Sequence, residues 1–193
     1  MNKGLNESVK VLKKGGVIIY PTDTAFGIGC KVDEEQVINK LFKLRRRPKE
    51  KAVPILVSSI KMAEDYAEIN PKAKALMEKY WPGGLTIIVK AKKDKIPFLA
   101  RGGGETVGLR MPNHKTTLAL IRKINTPLIG CSANFAGEAT PYKFLDLNKD
   151  LIKKVDYVLM GRTSAKLAST VVDTTGDRLN IVREGAVKLG TRN

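Results

Sequence analysis

Four stretches of this sequence carry side chains suited to holding an anion. Thr22, Asp23 and Thr24 follow the apolar run Val17-Ile18-Ile19-Tyr20 and a proline. Thr106 to Arg110 ends another β-rich run, Ser132-Ala133-Asn134 follows a third, and Ser169-Thr170 stands with Arg183 near the end of the chain. Hydroxyls, an amide and arginines brought to one mouth suit a carboxylate or a phosphate, because arginine binds either one bidentately and keeps its charge. A fifth stretch, Arg45-Arg46-Arg47-Pro48-Lys49, is the densest run of positive charge. Three adjacent arginines repel one another unless an anion joins them, so the run reads as an anion site. No GxxxxGK[ST] loop, no GxGxxG after a strand, no GxSxG elbow and no histidine-based triad accompanies these groups. The chemistry they suit rests on positioning and charge, not on a protein nucleophile.

The same residues argue against a metal site. His114 is the sole histidine and follows Pro112-Asn113, so it reads as a solvated loop residue. Cys30 and Cys131 lack CxxC spacing and read as buried free thiols in a reducing compartment.

Elements that could present these groups follow from periodicity. Leu5, Val9 and Leu12 predict a short helix over 5–14, ended by Gly15-Gly16. A buried strand then runs into the threonine loop, where an open α/β sheet would bind a ligand. Asp33 reads as the cap of a helix that reaches Leu44, just before the arginines. A strand is expected over Val53–Val57, then a helix capped by Ser58 or Ser59. Asn70-Pro71 is a cap followed by proline at the first helical position, and that helix breaks at Trp81-Pro82-Gly83-Gly84. Strands are expected at Leu85–Ala91, Thr106–Pro112, Pro127–Cys131 and Tyr157–Met160, with helices over 116–125 and 147–153. Ser169–Thr174 and Leu179–Arg183 flank Gly176-Asp177 as a hairpin. Alternating strands and helices followed by clustered strands predict a single-domain α/β fold with a twisted mixed sheet flanked by helices.

Composition bounds the setting. At 193 residues the chain can bury a core without disulfides, and one domain over 1–193 is expected. With 35 Lys and Arg against 19 Asp and Glu, the charge of +16 points to a polyanionic partner or substrate. The N-terminus has no apolar signal region and no 18-residue apolar run occurs, so a cytoplasmic protein without a membrane span is expected.

The run from Gly15 to Gly29 resembles the opening signature of the YrdC-like family. Arg45-Arg46-Arg47-Pro48 resembles its lysine-x-arginine-proline element. Thr106 to Pro112, Ser132-Ala133-Asn134, Ser169-Thr170-Val171-Val172-Asp173 and Val182-Arg183-Glu184-Gly185-Ala186 resemble its remaining blocks, in order, over about residues 5–190. The resemblance implies a twisted α/β fold around a large, positively lined cavity, in the short single-domain form. It implies an L-threonylcarbamoyladenylate synthase, a nucleotidyltransferase that condenses L-threonine, bicarbonate or CO2, and ATP, and releases diphosphate. The product would pass to a separate transferase complex that modifies adenosine 37 of tRNA, and Mg²⁺ would arrive with the nucleotide. By the same resemblance, Thr22 and Arg110 hold threonine, with Ser169 and Gly130 beside them. Arg45, Arg47, Lys49, Thr106, Ser132, Asn134, Thr140 and Arg183 hold ATP, and Arg45, Arg47, Ser132 and Asn134 carry the reaction. Two positions depart from the family pattern: Arg45 stands where lysine is usual, and Leu56 where some members have a histidine. A second reading is a non-catalytic paralogue that binds double-stranded RNA or tRNA through phosphate contacts. The intact Ser132, Asn134, Arg47 and Arg183 favour the enzyme; Arg45 favours the paralogue. A module of the kind fused into hydrogenase-maturation proteins is disfavoured by the lack of acylphosphatase and zinc-finger segments.

Overall fold

The computed structural model describes residues 2–164 and 167–190, so the span 1–193 read as one domain includes positions outside the described residues. Helix α1 (Asn2–Lys13) turns Leu5, Ser8 and Leu12 inward, and β1 (Ile18–Pro21) follows with all four residues buried. The chain then reverses tightly. The stretch read as a threonine loop holds a second strand, β2 (Phe26–Gly29), antiparallel to β1 with Pro21 opposite Phe26. Helix α2 (Glu35–Arg45) reaches the arginine run. Its cap position is Glu34, without a side-chain cap bond, and not Asp33 as the sequence suggested. Lys31 explains this: its ammonium lies 3.4 Å from Asp33 and 2.9 Å from Glu34, drawing both carboxylates away from the helix N–H groups.

The next elements are β3 (Ile55–Leu56), α3 (Ile60–Tyr66), β4 (Ala67–Glu68) and α4 (Pro71–Tyr80). Ser59 caps α3 by accepting from the Met62 N–H, and Asn70 caps α4 by accepting from the Ala73 N–H, with Pro71 opening the helix. Strands β5 (Leu85–Ala91) and β6 (Thr106–Arg110) form the antiparallel centre of the larger sheet. Helix α5 (Lys115–Ile124) is capped by His114, whose Nδ1 accepts from the Thr117 N–H. His114 is half-buried, so its reading as a solvated loop residue is corrected: capping holds the ring against the fold. Then come β7 (Leu128–Ile129), β8 (Cys131–Ser132), a 3₁₀ turn at Phe144–Asp146, α6 (Lys149–Lys154), β9 (Tyr157–Val158), β10 (Thr170–Asp173) and β11 (Asn180–Arg183).

Two mixed sheets result. One has the order β8-β2-β1-β9; the other has the order β11-β10-β5-β6-β3-β7, with β4 alongside β5. The single strand expected over Pro127–Cys131 is split at Gly130, and its two halves serve different sheets. At that joint the sheets touch through backbone: the Ile129 N–H donates to Cys30 O at 2.9 Å, and a Cβ on Gly29 would overlap the Ile129 carbonyl oxygen. The larger core cluster packs strands against α2 and α4 through Phe26, Ile38, Phe42, Met77, Ile87 and Leu109. A smaller one seats Leu5 and Leu12 of α1 and Leu120, Ile121 and Ile124 of α5 on Ile18, Tyr20 and Leu128. Both cysteines are free and buried, and burial pushes the Cys30 thiol far up from its ordinary pKa. No helix among the described residues is long and apolar enough to cross a membrane.

Candidate functional site

The turn between β1 and β2 is built on the Thr22 hydroxyl. Its Oγ1 accepts from the N–H groups of Thr24 (3.1 Å) and Ala25 (3.2 Å) and donates to Ala25 O (2.7 Å). The Thr22 N–H also donates to Ala25 O (3.2 Å), and the turn brings Thr24 Oγ1 within 3.1 Å of Thr22 Oγ1. Both threonines are buried.

Arg110 reaches this turn from the end of β6. Its Nε donates to Gly83 O (3.0 Å), Nη1 to Thr24 Oγ1 (2.8 Å) and Nη2 to Asp23 Oδ1 (2.5 Å). The side chains of Arg110 and Asp23 are only 8% and 11% exposed. Burial pulls the guanidinium below its ordinary pKa, against the opposing pull of Asp23.

The three consecutive arginines part ways, because Arg46 takes a left-handed conformation (φ 55°) at the end of α2. Arg45 turns inward and is 3% exposed; its Nε donates to Asn134 O (3.0 Å) and Nη2 to Asn134 Oδ1 (3.2 Å). Arg46 lies outside, its Cζ 4.8 Å from the centre of the Phe135 ring. Arg47 folds back onto its own loop, donating to Lys51 O (3.2 Å) and Ala52 O (2.5 Å). Burial, together with the nearby charge of Arg45, lowers its pKa. Backbone and amide oxygens thus take up much of the repulsion that the sequence assigned to an anion.

Across the opening, Arg183 donates from Nε and Nη2 to Ser169 O (3.0 and 2.8 Å) and from Nη2 to Ser169 Oγ (3.1 Å). The Ser169 hydroxyl also meets Thr86 Oγ1 at 2.9 Å, on the neighbouring strand β5.

These groups surround a cavity of about 210 Å³. Thr22, Arg45, Arg47, Arg110, Gly130, Ser132, Thr140, Ser169 and Arg183 line it, so most of the residues singled out in the sequence come together. Three do not line it. Asn134 sits behind Arg45 and holds it. Thr106 starts β6 opposite Lys90, at the far end of the strand from Arg110. Lys49 is exposed on the loop after Arg47. The wall also contains Thr24, part of the first anion-suited stretch, Leu56, noted as a departure from the family pattern, and Tyr20, Pro54 and Cys131, which were not singled out as site residues. Strand alternation was the available signal for Tyr20, since it precedes Thr22 by two and shares its face. Leu56 pairs in register with Arg110. Four guanidiniums, several hydroxyls and one apolar wall can hold a ligand that carries both anionic and small apolar parts. Among the described residues no group of three His, Cys, Asp or Glu side chains is placed to hold a metal.

The Sua5/YciO/YrdC family model, described as "Telomere recombination", matches residues 10–185. The chain belongs to this family. A Bacillus subtilis protein named threonylcarbamoyl-AMP synthase is 31% identical over 183 residues, covering 94% of this chain and 53% of the relative. A Methanocaldococcus jannaschii protein named putative threonylcarbamoyl-AMP synthase is 32% identical, covering 93% and 84%. The uncharacterized YciO of Escherichia coli is 29% identical, covering 94% and 88%. Among solved structures, Pyrococcus abyssi Sua5 complexed with L-threonine superposes with a TM-score of 0.89 at 28% identity, over 94% of this chain and 54% of that one. Escherichia coli YciO superposes with a TM-score of 0.86 at 28% identity, over 95% and 90%. The chain therefore spans about half the length of the Bacillus and Pyrococcus relatives and most of the length of YciO. Its mixed α/β fold, with twisted mixed sheets flanked by helices, is the fold of these relatives.

Proposed function

We propose that this chain is a threonylcarbamoyl-AMP synthase. One observation carries the reading. Thr22, Arg110 and Ser169 share a cavity with Arg47, Ser132 and Arg183, in a chain that superposes on a Sua5 complexed with L-threonine. Arg110 and the hydroxyls would take the amino-acid end of the substrate, with Gly130 leaving room beside them. Arg47, Arg183, Ser132 and Thr140 would take the nucleotide, with Asn134 acting through Arg45.

The chemistry suits a site without a protein nucleophile. The amine of L-threonine and CO2, from bicarbonate, give a carbamate and a proton. A carbamate oxygen attacks the α-phosphorus of MgATP, the bond to the bridging oxygen breaks, and MgPPi leaves with its electron pair. The carbamate is already a nucleophile, so alignment and neutralisation of the phosphates supply the acceleration. Arginine suits both tasks because it stays cationic and meets phosphate oxygens in pairs. Mg²⁺ belongs to the substrate here and travels with ATP. The product would serve a transferase complex that builds the threonylcarbamoyl group onto adenosine 37 of tRNA.

The test is incubation of the purified chain with MgATP, labelled bicarbonate and L-threonine. Threonine-dependent diphosphate release with a labelled adenylate is the expected outcome. Folded protein that yields no product, yet binds double-stranded RNA with a steep salt dependence, overturns the reading in favour of the RNA-binding paralogue.

A further inference from the structure

Four arginines line the cavity, and among the described residues Arg110 alone of these is paired with a carboxylate. Arg45 is held by the carbonyl and amide oxygens of Asn134, Arg47 by two backbone carbonyls, and Arg183 by a carbonyl and a hydroxyl. The carboxylate is Asp23, which does not itself line the cavity. It stands behind the guanidinium, in the turn that carries Thr22 and Thr24.

A guanidinium has five N–H donors. Three of those on Arg110 are committed, to Gly83 O, Thr24 Oγ1 and Asp23 Oδ1, which leaves one on each Nη nitrogen. Two of the bonds go to the β1–β2 turn and one to the stretch before β5, and together they fix both the position and the rotation of the plane. A buried ion pair adds little net stability over an apolar pair of the same shape, because desolvation offsets the attraction. It does fix geometry, and a group fixed in advance binds its ligand without losing rotamer freedom at that moment.

We propose that Asp23 is a positioning residue: it locks the Arg110 guanidinium so that its remaining N–H groups receive the carboxylate of an amino-acid ligand. The pair carries no net charge, so this corner of the cavity holds a carboxylate by hydrogen bonds and exerts little pull on polyphosphate. Charge attraction for the nucleotide then falls to Arg45, Arg47 and Arg183, none of which is paired with a carboxylate among the described residues. The cavity is sorted into a neutral amino-acid corner and a cationic phosphate side. The choice of L-threonine as that ligand rests on the proposed function; the locking of Arg110 does not.

The experiment compares the native chain with Asp23→Asn, a near-isosteric change, through two readouts. The first is ligand affinity and turnover. For Asp23→Asn the Kd and KM for L-threonine rise about tenfold or more, while MgATP affinity and kcat at saturating threonine stay within about threefold. Misfolding would instead lower kcat and leave KM alone. The second is the arginine side-chain NMR spectrum, assigned with Arg110→Lys. In the native chain the two Nη groups of Arg110 give separate signals because rotation is restrained, and in Asp23→Asn they average. Unchanged threonine affinity in Asp23→Asn overturns the proposal, as do separate Nη signals in that variant. Should Asp23→Asn fail to fold, averaged signals in the native chain overturn it and separate ones sustain it. If the native chain binds no threonine, the functional reading falls, and the Nη signals still decide whether Asp23 locks Arg110.

Discussion

Arg45 and Arg47 stand two positions apart and serve the cavity in opposite ways. Arg47 is partly exposed, its Cζ lies 5.9 Å from the centre of the Phe42 ring, and its hydrogen bonds go to carbonyls of its own loop, which water can satisfy if the guanidinium is removed. Arg47→Ala is therefore expected to abolish adenylate formation while leaving the thermal unfolding midpoint close to the native value. Normal turnover in that variant would take Arg47 out of the site. Arg45 is buried, and its bonds to Asn134 span the gap between α2 and the stretch after β8. Asn134→Ala strands a buried guanidinium donor and frees Glu138 O, so it should cost about 1–3 kcal/mol in urea unfolding as well as weakening ATP binding. Ser132→Ala should weaken ATP binding alone, since Ser132 lines the cavity and bears no comparable network. Calorimetric titration with ATP beside urea denaturation separates the two variants; equal stability loss in both would contradict the division. These residues could be found in the sequence because hydroxyls, amides and arginines recur at strand ends. What separates a lining group from a supporting one was not visible there, because it depends on the left-handed turn at Arg46 and on which neighbour each guanidinium reaches.

The elements show where local sequence decides and where tertiary contact takes over. Helix α4 could be read off because Asn70 and Pro71 act within one turn, and β5 because the consecutive β-branched residues Thr86, Ile87, Ile88 and Val89 need no distant partner to be recognised. Strand β3 shrinks to Ile55–Leu56 and β8 separates from β7 because their pairing is set by other strands, β6 for one and β2 for the other. No local rule reports that. Gly29 marks the same joint. Its position against Ile129 O leaves no room for a side chain, so Gly29→Ala should destabilise the fold by about 1–3 kcal/mol through overpacking. A urea midpoint equal to that of the native chain would show that the two sheets can part there without loss.

Helix α5 adds a dependence on pH. His114 Nδ1 accepts from the Thr117 N–H at 3.3 Å, Nε2 meets Arg162 O at 3.2 Å, and Thr117 Oγ1 donates to Pro21 O at the end of β1. Only a ring with an unprotonated Nδ1 can cap the helix. Burial lowers the His114 pKa from its ordinary 6.5, outweighing the bond to Arg162 O and the nearby Asp23. The folded state thus binds this proton less well than the unfolded chain, and the unfolded chain carries more protons below the ordinary value. Stability is fully present above about pH 6.5 and is lost progressively as the pH falls below it. His114→Asn keeps a side-chain acceptor at the cap and cannot titrate. Its unfolding midpoint should fall less than that of the native chain between about pH 7.5 and about pH 5.5, where His114 is the only histidine to titrate. Parallel curves for the two proteins would remove His114 from the pH response.

At the scale of the whole molecule the charge of +16 acts before any contact forms. Lysines and arginines spread over the surface create a positive potential, and a cleft with arginines on its walls focuses it. An incoming dianionic MgATP would feel that field, while zwitterionic threonine would not. Exposed charges are screened over about 10 Å at about 0.1 M salt, so raising NaCl from about 0.05 M to about 0.5 M should weaken MgATP binding several-fold, chiefly by slowing association. L-threonine affinity should change little over the same range, because the Arg110–Asp23 pair offers it hydrogen bonds with no net charge. Stopped-flow binding of a fluorescent ATP analogue, with threonine titrated in parallel, measures both responses. A threonine affinity that fell with salt as steeply as that of ATP would mean that the cavity meets both ligands with one undivided field, and that the carboxylate behind Arg110 does not divide it.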